Sequence, residues 1–142
     1  MSYPPTSQNS TLFQSFEWHT RTERPAHDQT HSHNSHWSRL QRILPSLAGL
    51  GVTAVWLPPG CKANEPSGAG NGYDCYDLWD LGEFDQKYQR ATKWGSREEL
   101  GDLISCAKGT GVEVIWDAVL NHKTAGDSTE ECWAVEVDAE GE

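Results

Sequence analysis

Positive charge is scarce in this chain. Its 11 lysines and arginines face 21 aspartates and glutamates, a formal net charge of -10 over 142 residues. Nucleic acid and anionic membrane surfaces need a basic face, so neither is expected as a partner. Long apolar runs are also missing. The best, Leu47 to Leu57, is broken by glycines and falls well short of the ~20 residues that cross a bilayer. The opening M-S-Y-P-P-T-S-Q-N-S-T has neither basic residues nor an apolar stretch, so it does not read as a secretory leader, and a cytoplasmic location is expected. Cysteine is sparse: Cys61, Cys75, Cys106 and Cys132 show no C-x-x-C spacing, which favours free thiols in a reducing compartment.

What is present is organised around Gly111 to His122, G-V-E-V-I-W-D-A-V-L-N-H. Val112, Val114, Ile115, Val119 and Leu120 make it strongly β-forming and apolar on both faces, the pattern of a parallel strand covered on both sides. Asp117 interrupts the run, and Asn121 with His122 ends it. Alternation along a strand would put 117, 119 and 121 on one side and 118, 120 and 122 on the other. Polar groups at the end of a buried strand must be paired or used, and parallel α/β folds build sites at the carboxyl ends of strands. The plainer alternative is that Asp117 caps a turn and Asn121-His122 starts a loop.

Thr11 to Phe16 has the β-branched and aromatic content of a first strand, with Glu17-Trp18-His19 at its end. Thr20 to Ser35 is a polar loop holding His27, His31 and His33, with His36 just beyond. Imidazoles clustered in this way either bind a transition metal or belong to a solvated loop. Trp37, Leu40, Leu44 and Leu47 form one stripe of a helix over His36 to Leu50, where Pro45 predicts a kink or break near Leu44. Val52 to Leu57 then reads as a second buried strand. A helix from Ser96 to Lys108 starts with an S-x-x-E capping box, Ser96 and Glu99, and ends at Gly109 and Gly111. G-V-T-A-V-W at Gly51 to Trp56 echoes G-V-E-V-I-W at Gly111 to Trp116, each after a helix, so the repeated unit is strand–helix–strand.

Between Leu57 and Ser96 no strong period holds, which marks a functional loop or small subdomain. Its middle, G-Y-D-C-Y-D-L-W-D-L-G-E-F at Gly72 to Phe84, mixes aromatics with carboxylates. On the rim that carries Asn121 and His122, such a mixture suits a polyhydroxylated ligand, stacked on its C–H faces and hydrogen-bonded at its hydroxyls. An acidic surface loop anchored by its aromatics has the same composition.

Taken in order, G-Y-D-C-Y-D-L-W-D-L-G-E-F, K-W-G-S-R-E-E-L at Lys93 to Leu100 and D-A-V-L-N-H at Asp117 to His122 resemble the alpha-amylase family of glycoside hydrolases. The hexapeptide is similar to that family's D-x-x-x-N-H signature. F-Q-S-F-E-W near the start and A-V-E-V-D at Ala134 to Asp138 resemble the liquefying bacterial members and intracellular fungal relatives. The longer, His-rich loop after Trp18 departs from the family pattern. The resemblance implies an α/β fold, the N-terminal part of a (β/α)8 TIM barrel, with retaining hydrolysis of internal α-1,4-glucosidic links in starch, glycogen or maltooligosaccharides. It divides the chain into a flexible lead at 1–10, the first strand–helix units of the barrel at 11–122, and the start of an inserted lobe at 123–142.

Carried over position by position, the resemblance implies that Tyr73 stacks on sugar and His122 bonds one of its hydroxyls. Gln14 and Trp18 would line the floor of the site, and Asp117 would be a buried supporting acid. Asn121 would give an oxygen to a structural calcium, the expected cofactor. The nucleophile and acid/base of the family have no counterpart here, so no catalytic residue is assigned within these residues and the chain reads as an inactive front third of an enzyme. A non-catalytic carbohydrate-binding or interaction relative, and an enzyme turned to transglycosylation, stand as alternatives.

Overall fold

The structure, a computed structural model, describes residues 9–20, 35–65 and 70–135. His27, His31 and His33 of the histidine-rich loop, most of the lead at 1–10 and the end of A-V-E-V-D lie outside the described residues. Seven elements follow in chain order: β1 Leu12–Gln14, α1 His36–Gly49, β2 Ala54–Leu57, β3 Lys62–Ala63, β4 Cys75–Asp77, α2 Arg97–Thr110 and β5 Glu113–Trp116.

The echo between residues 51–56 and 111–116 is realised as parallel pairing. Strands β1, β2 and β5 form one sheet in the order β1-β2-β5. Leu12 lies opposite Ala54, and Ala54 opposite Glu113. Helices α1 and α2 pack together over this sheet. Trp37, Leu40 and Leu44 of α1 and Leu100, Leu103 and Ala107 of α2 close on Val55 and Leu57, with Trp94 and Val112 completing the cluster. Burial of each such leucine is worth about 1.5–3 kcal/mol, so the helix stripes supply most of what holds the layers together.

The capping box of α2 forms as read: Ser96 accepts from the Glu99 N–H, and Glu99 accepts from the Ser96 N–H at 2.8 Å. The other oxygen of Glu99 accepts from Ser38 Oγ at 2.9 Å, so one carboxylate caps α2 and ties it to α1. Gly109 does not end the helix. The stop is Gly111, in the left-handed region at φ 72° with its N–H on Ala107 and Lys108 carbonyls. Pro45 does not break α1 either; the helix runs through it as one element. A proline leaves the carbonyl one turn back without its helical donor. Here that carbonyl, of Gln41, accepts a weak bond from Cys106 Sγ of α2 at 3.6 Å.

The central strand is shorter than expected. It stops at Trp116, and residues 117–122 form a loop in which the Leu120 N–H turns back to Ala118 O at 3.1 Å. The alternation expected for 117–122 is therefore not set by a strand. Among the described residues strand β5 lies at one edge of the sheet, with Ile115 43% exposed and Trp116 37% exposed.

His36 opens α1 almost fully buried, against the rings of Trp37 and Trp94. Burial, with Arg39 and Lys93 nearby, lowers its pKa from 6.5 to about 4. An imidazole held neutral in the folded state takes up a proton more readily when unfolded. Its contribution to stability is present above pH 6.5 and is lost as the pH falls from 6.5 to about 4. The loss should reach about 3 kcal/mol. Urea midpoints across this window should fall steeply for the native chain and less steeply for His36→Phe; parallel slopes would reject the assignment.

Candidate active site

Strand β1 ends one turn before Trp18, and the loop from β3 to β4 brings Tyr73 beside it. The rings of Trp18 and Tyr73 stack at 6.0 Å between centroids and 16° between planes. Trp18 is 64% exposed, so the pair presents an open aromatic surface.

Tyr73 is held at three points. Its hydroxyl donates to Asp117 Oδ2 at 2.7 Å, its N–H donates to Asn71 Oδ1 at 3.0 Å, and its carbonyl meets His122 Nε2 at 2.9 Å. Burial, then the Asp117 carboxylate, push the phenol up to about 12, so Tyr73 keeps its proton and remains a donor to Asp117. A carbonyl only accepts, so Nε2 of His122 carries hydrogen in this bond and, in the neutral ring, Nδ1 remains an acceptor. Behind Tyr73, Gly72 at φ 90° passes so close to Pro59 O and Trp94 Nε1 that a Cβ would sit 3.0 Å from each. Trp94 Nε1 donates to that same Pro59 carbonyl at 2.8 Å, which locks the loop onto the core.

Trp18, Tyr73, Asp117 and His122 are thus brought together. Asp117 is half-buried and lies one residue beyond β5, rather than deeply buried inside a strand end. Gln14 is exposed, with its amide donating to Phe16 O at 2.8 Å, and is not drawn into the aromatic pair. Asn121 is exposed in the loop after β5. Calcium takes six to eight oxygens, and among the described residues no group of three or more His, Cys, Asp or Glu is placed to hold a metal. The described residues do not by themselves fit a calcium site.

Pattern reading missed the polar interior of the loop subdomain. Lys62 and Asp80 are both fully buried, with Nζ to Oδ2 at 3.2 Å. The same ammonium donates to the carbonyls of Arg90 at 2.6 Å, Gln89 at 2.8 Å and Phe84 at 3.2 Å. Asp80 Oδ1 meanwhile accepts the N–H groups of Gly82 and Glu83 at 2.8 and 3.0 Å. Lys93 is likewise buried, with its ammonium on the Gly70 carbonyl. On the far side of β4, the Tyr76 hydroxyl bonds Asp127, Lys87 sits 4.0 Å over the Tyr76 ring, and Thr124 N donates to Cys75 O at 2.7 Å. A cleft of about 730 Å³ opens there, lined by Tyr76, Gln86, Lys87, Tyr88 and Asp127 among others, and none of the predicted site residues lines it.

Among the described residues no helix is long and apolar enough to cross a membrane. The family model for the alpha amylase catalytic domain matches residues 27–138. The alpha-amylase of Bacillus licheniformis is 43% identical over 130 residues, covering 92% of this chain and 23% of that protein. The cytoplasmic alpha-amylase of Escherichia coli (strain K12) is 37% identical over 123 residues, covering 87% of this chain and 23% of that protein. The chain therefore spans about a quarter of the length of these relatives. Among solved structures, a truncated alternansucrase from Leuconostoc mesenteroides superposes with a TM-score of 0.66 at 21% identity, covering 82% of this chain and 10% of that one. Parallel strand–helix units, the aromatic pair tied to the D-A-V-L-N-H loop and a family match over most of the sequence lead to one conclusion: this chain belongs to the alpha-amylase family, as the opening part of its (β/α)8 catalytic domain.

Proposed function

We propose that this chain forms the sugar-stacking wall of an alpha-amylase-type glycoside hydrolase that cleaves internal α-1,4-glucosidic links of starch, glycogen or maltooligosaccharides with retention. The observation that carries the reading is the Trp18–Tyr73 stack, fixed from behind by Asp117 and from the side by His122. Flat indole and phenol faces match the C–H face of a glucose ring. His122 Nδ1 accepts a sugar hydroxyl while Nε2 keeps hold of the loop. Asp117 acts on the sugar only through Tyr73, by setting the ring plane.

Retaining hydrolysis needs a nucleophile and a proton donor about 5–5.5 Å apart. Asp117 accepts from the Tyr73 hydroxyl and Glu17 accepts the His19 N–H at 2.8 Å, and we give neither of them either role. We assign both reacting carboxylates to the parts of the complete enzyme that these residues do not cover, consistent with relatives about four times as long. Reducing-sugar release from soluble starch tests this. The enzyme carrying this chain should turn starch over, and the 142 residues alone should not. Starch binding without turnover by the complete protein would favour the non-catalytic alternative. A cytoplasmic setting is part of the same proposal, supported by the cytoplasmic relative.

Calcium belongs to this proposal through Asn121, as one oxygen donor among several supplied from outside the described residues. Calorimetric titration of the 142-residue chain with calcium should show no submicromolar, stoichiometric site. Such a site would overturn the assignment.

A further inference from the structure

Cys61 and Cys75 meet where the loop subdomain folds back on itself. Cys61 immediately precedes β3, Cys75 begins β4, and their Sγ atoms are 3.1 Å apart. Both side chains are buried, and together with Val119 they form a small apolar cluster of their own, with Tyr73 packed against it. An S–S bond is about 2.05 Å long, so the two sulfurs need to close by only about 1 Å. Strands β3 and β4 already pair antiparallel here, with Ala63 opposite Cys75 and an irregularity in register beside it. The other two thiols are placed differently: Cys106 lies on α2 against Gln41 of α1, and Cys132 is exposed.

We propose that Cys61 and Cys75 are a disulfide-forming pair, a covalent modification site that clamps the loop carrying Tyr73 to the start of β3. The oxidant is a low-molecular-weight disulfide of the glutathione type. One protein thiolate attacks it, forming a mixed disulfide and releasing one glutathione thiolate. The second protein thiolate then displaces the remaining glutathione, forming the Cys61–Cys75 bond. The two protons lost by the cysteines end on the two glutathione thiols, so the protein loses two electrons and the reagent gains them.

Burial, with Cys75 adjacent, pushes the Cys61 thiol well above its ordinary value, so Cys61 is poorly ionised near neutral pH in the folded chain. Exchange therefore runs through opening of β3–β4, or during folding, and the closed link then lies protected in the core. Its consequence falls on the candidate active site. Cys75 O receives both Thr124 N and Thr124 Oγ1, and Cys75 is two residues from Tyr73, so the link restrains the loop behind the stacking ring and the segment after His122 together.

The test is refolding of the full chain in a glutathione redox buffer poised so that Cys132 becomes glutathionylated, followed by alkylation and peptide mass mapping without reduction. The expected product is a Cys61–Cys75 cross-linked peptide two hydrogens lighter than its parts. It should form in preference to pairs with Cys106 or Cys132 and be reversed by dithiothreitol. The oxidised chain should melt several degrees above the reduced chain, and Cys61→Ser should abolish both the cross-link and the difference in melting. Recovery of Cys61 and Cys75 as separately alkylated peptides from protein glutathionylated at Cys132 would overturn the proposal, as would cross-links scattered over all four cysteines.

Discussion

Lys62→Met is expected to lower stability by about 3–5 kcal/mol, the loss typical of breaking a buried ion pair from one side. The side chains of Lys62 and Asp80 are both 0% exposed, so the carboxylate left behind has no access to water. The damage extends beyond that one charge. The ammonium is also the shared donor for the Phe84, Gln89 and Arg90 carbonyls, which lie along one irregular stretch with little regular pairing beyond the Gln86–Gln89 bridge. Methionine fills much of the same volume and donates nothing, so those carbonyls lose their common donor. Urea unfolding of the protein and of the Lys62→Met variant measures the loss, and limited proteolysis should open first between residues 84 and 91. Replacing both partners, Lys62→Met with Asp80→Leu, should recover part of the loss because no charge is then stranded. A single variant within about 1 kcal/mol of the parent would mean that the loop is held by something else.

That cage was invisible to pattern reading for a physical reason. Periodicity reports side chains that repeat against a layer, and Lys62 serves a loop that has no layer. Elements whose stability is local were legible. The Ser96–Glu99 box needs only residues three apart, and the stripe of Trp37, Leu40 and Leu44 needs only the helical period. Two local expectations failed, one to a tertiary contact and one to a local stop two residues later. Pro45 stays inside α1, where the carbonyl it leaves free meets Cys106, and Gly109 stays inside α2 because the left-handed stop falls two residues later at Gly111. The end of β5 was overestimated because Val119 and Leu120 carry β-forming side chains past Trp116. Asp117, turned onto the Tyr73 hydroxyl, belongs to the loop after the strand.

The candidate site was legible to a different degree. Tyr73, Trp18, Asp117 and His122 could be named from motif resemblance, and the fold brings all of them to one place. No spacing rule could have revealed that Asp117 and His122 grip Tyr73. Those partners lie 44 and 49 residues away in sequence, and only parallel pairing of β2 with β5 brings the two loops to the same end of the sheet.

Tyr73→Ala, made in the complete enzyme, is expected to lower kcat/KM on starch by a factor of about 10²–10⁴. Removing the ring forfeits the stacking surface, worth about 1.5–3 kcal/mol on the scale of a buried aromatic face. It also deprives Asp117 of the donor 2.7 Å away. A partly buried carboxylate left without that bond adds about 1–3 kcal/mol. At about 1.4 kcal/mol for each factor of ten, the two losses together give the stated range. Tyr73→Phe separates them, because it keeps the stack on Trp18 and removes only the Asp117 bond; a loss of about tenfold is expected. Asp117→Asn should lose less than the phenylalanine variant, since its amide oxygen still accepts from the phenol and only the charge is gone. Trp18→Ala should do less than Tyr73→Ala, because Trp18 is 64% exposed. Initial rates on soluble starch, with far-ultraviolet circular dichroism to verify folding, order the four variants. A folded Tyr73→Ala enzyme within a few-fold of the parent would show that sugar is bound elsewhere. A Tyr73→Phe enzyme as weak as Tyr73→Ala would instead move the whole effect onto Asp117.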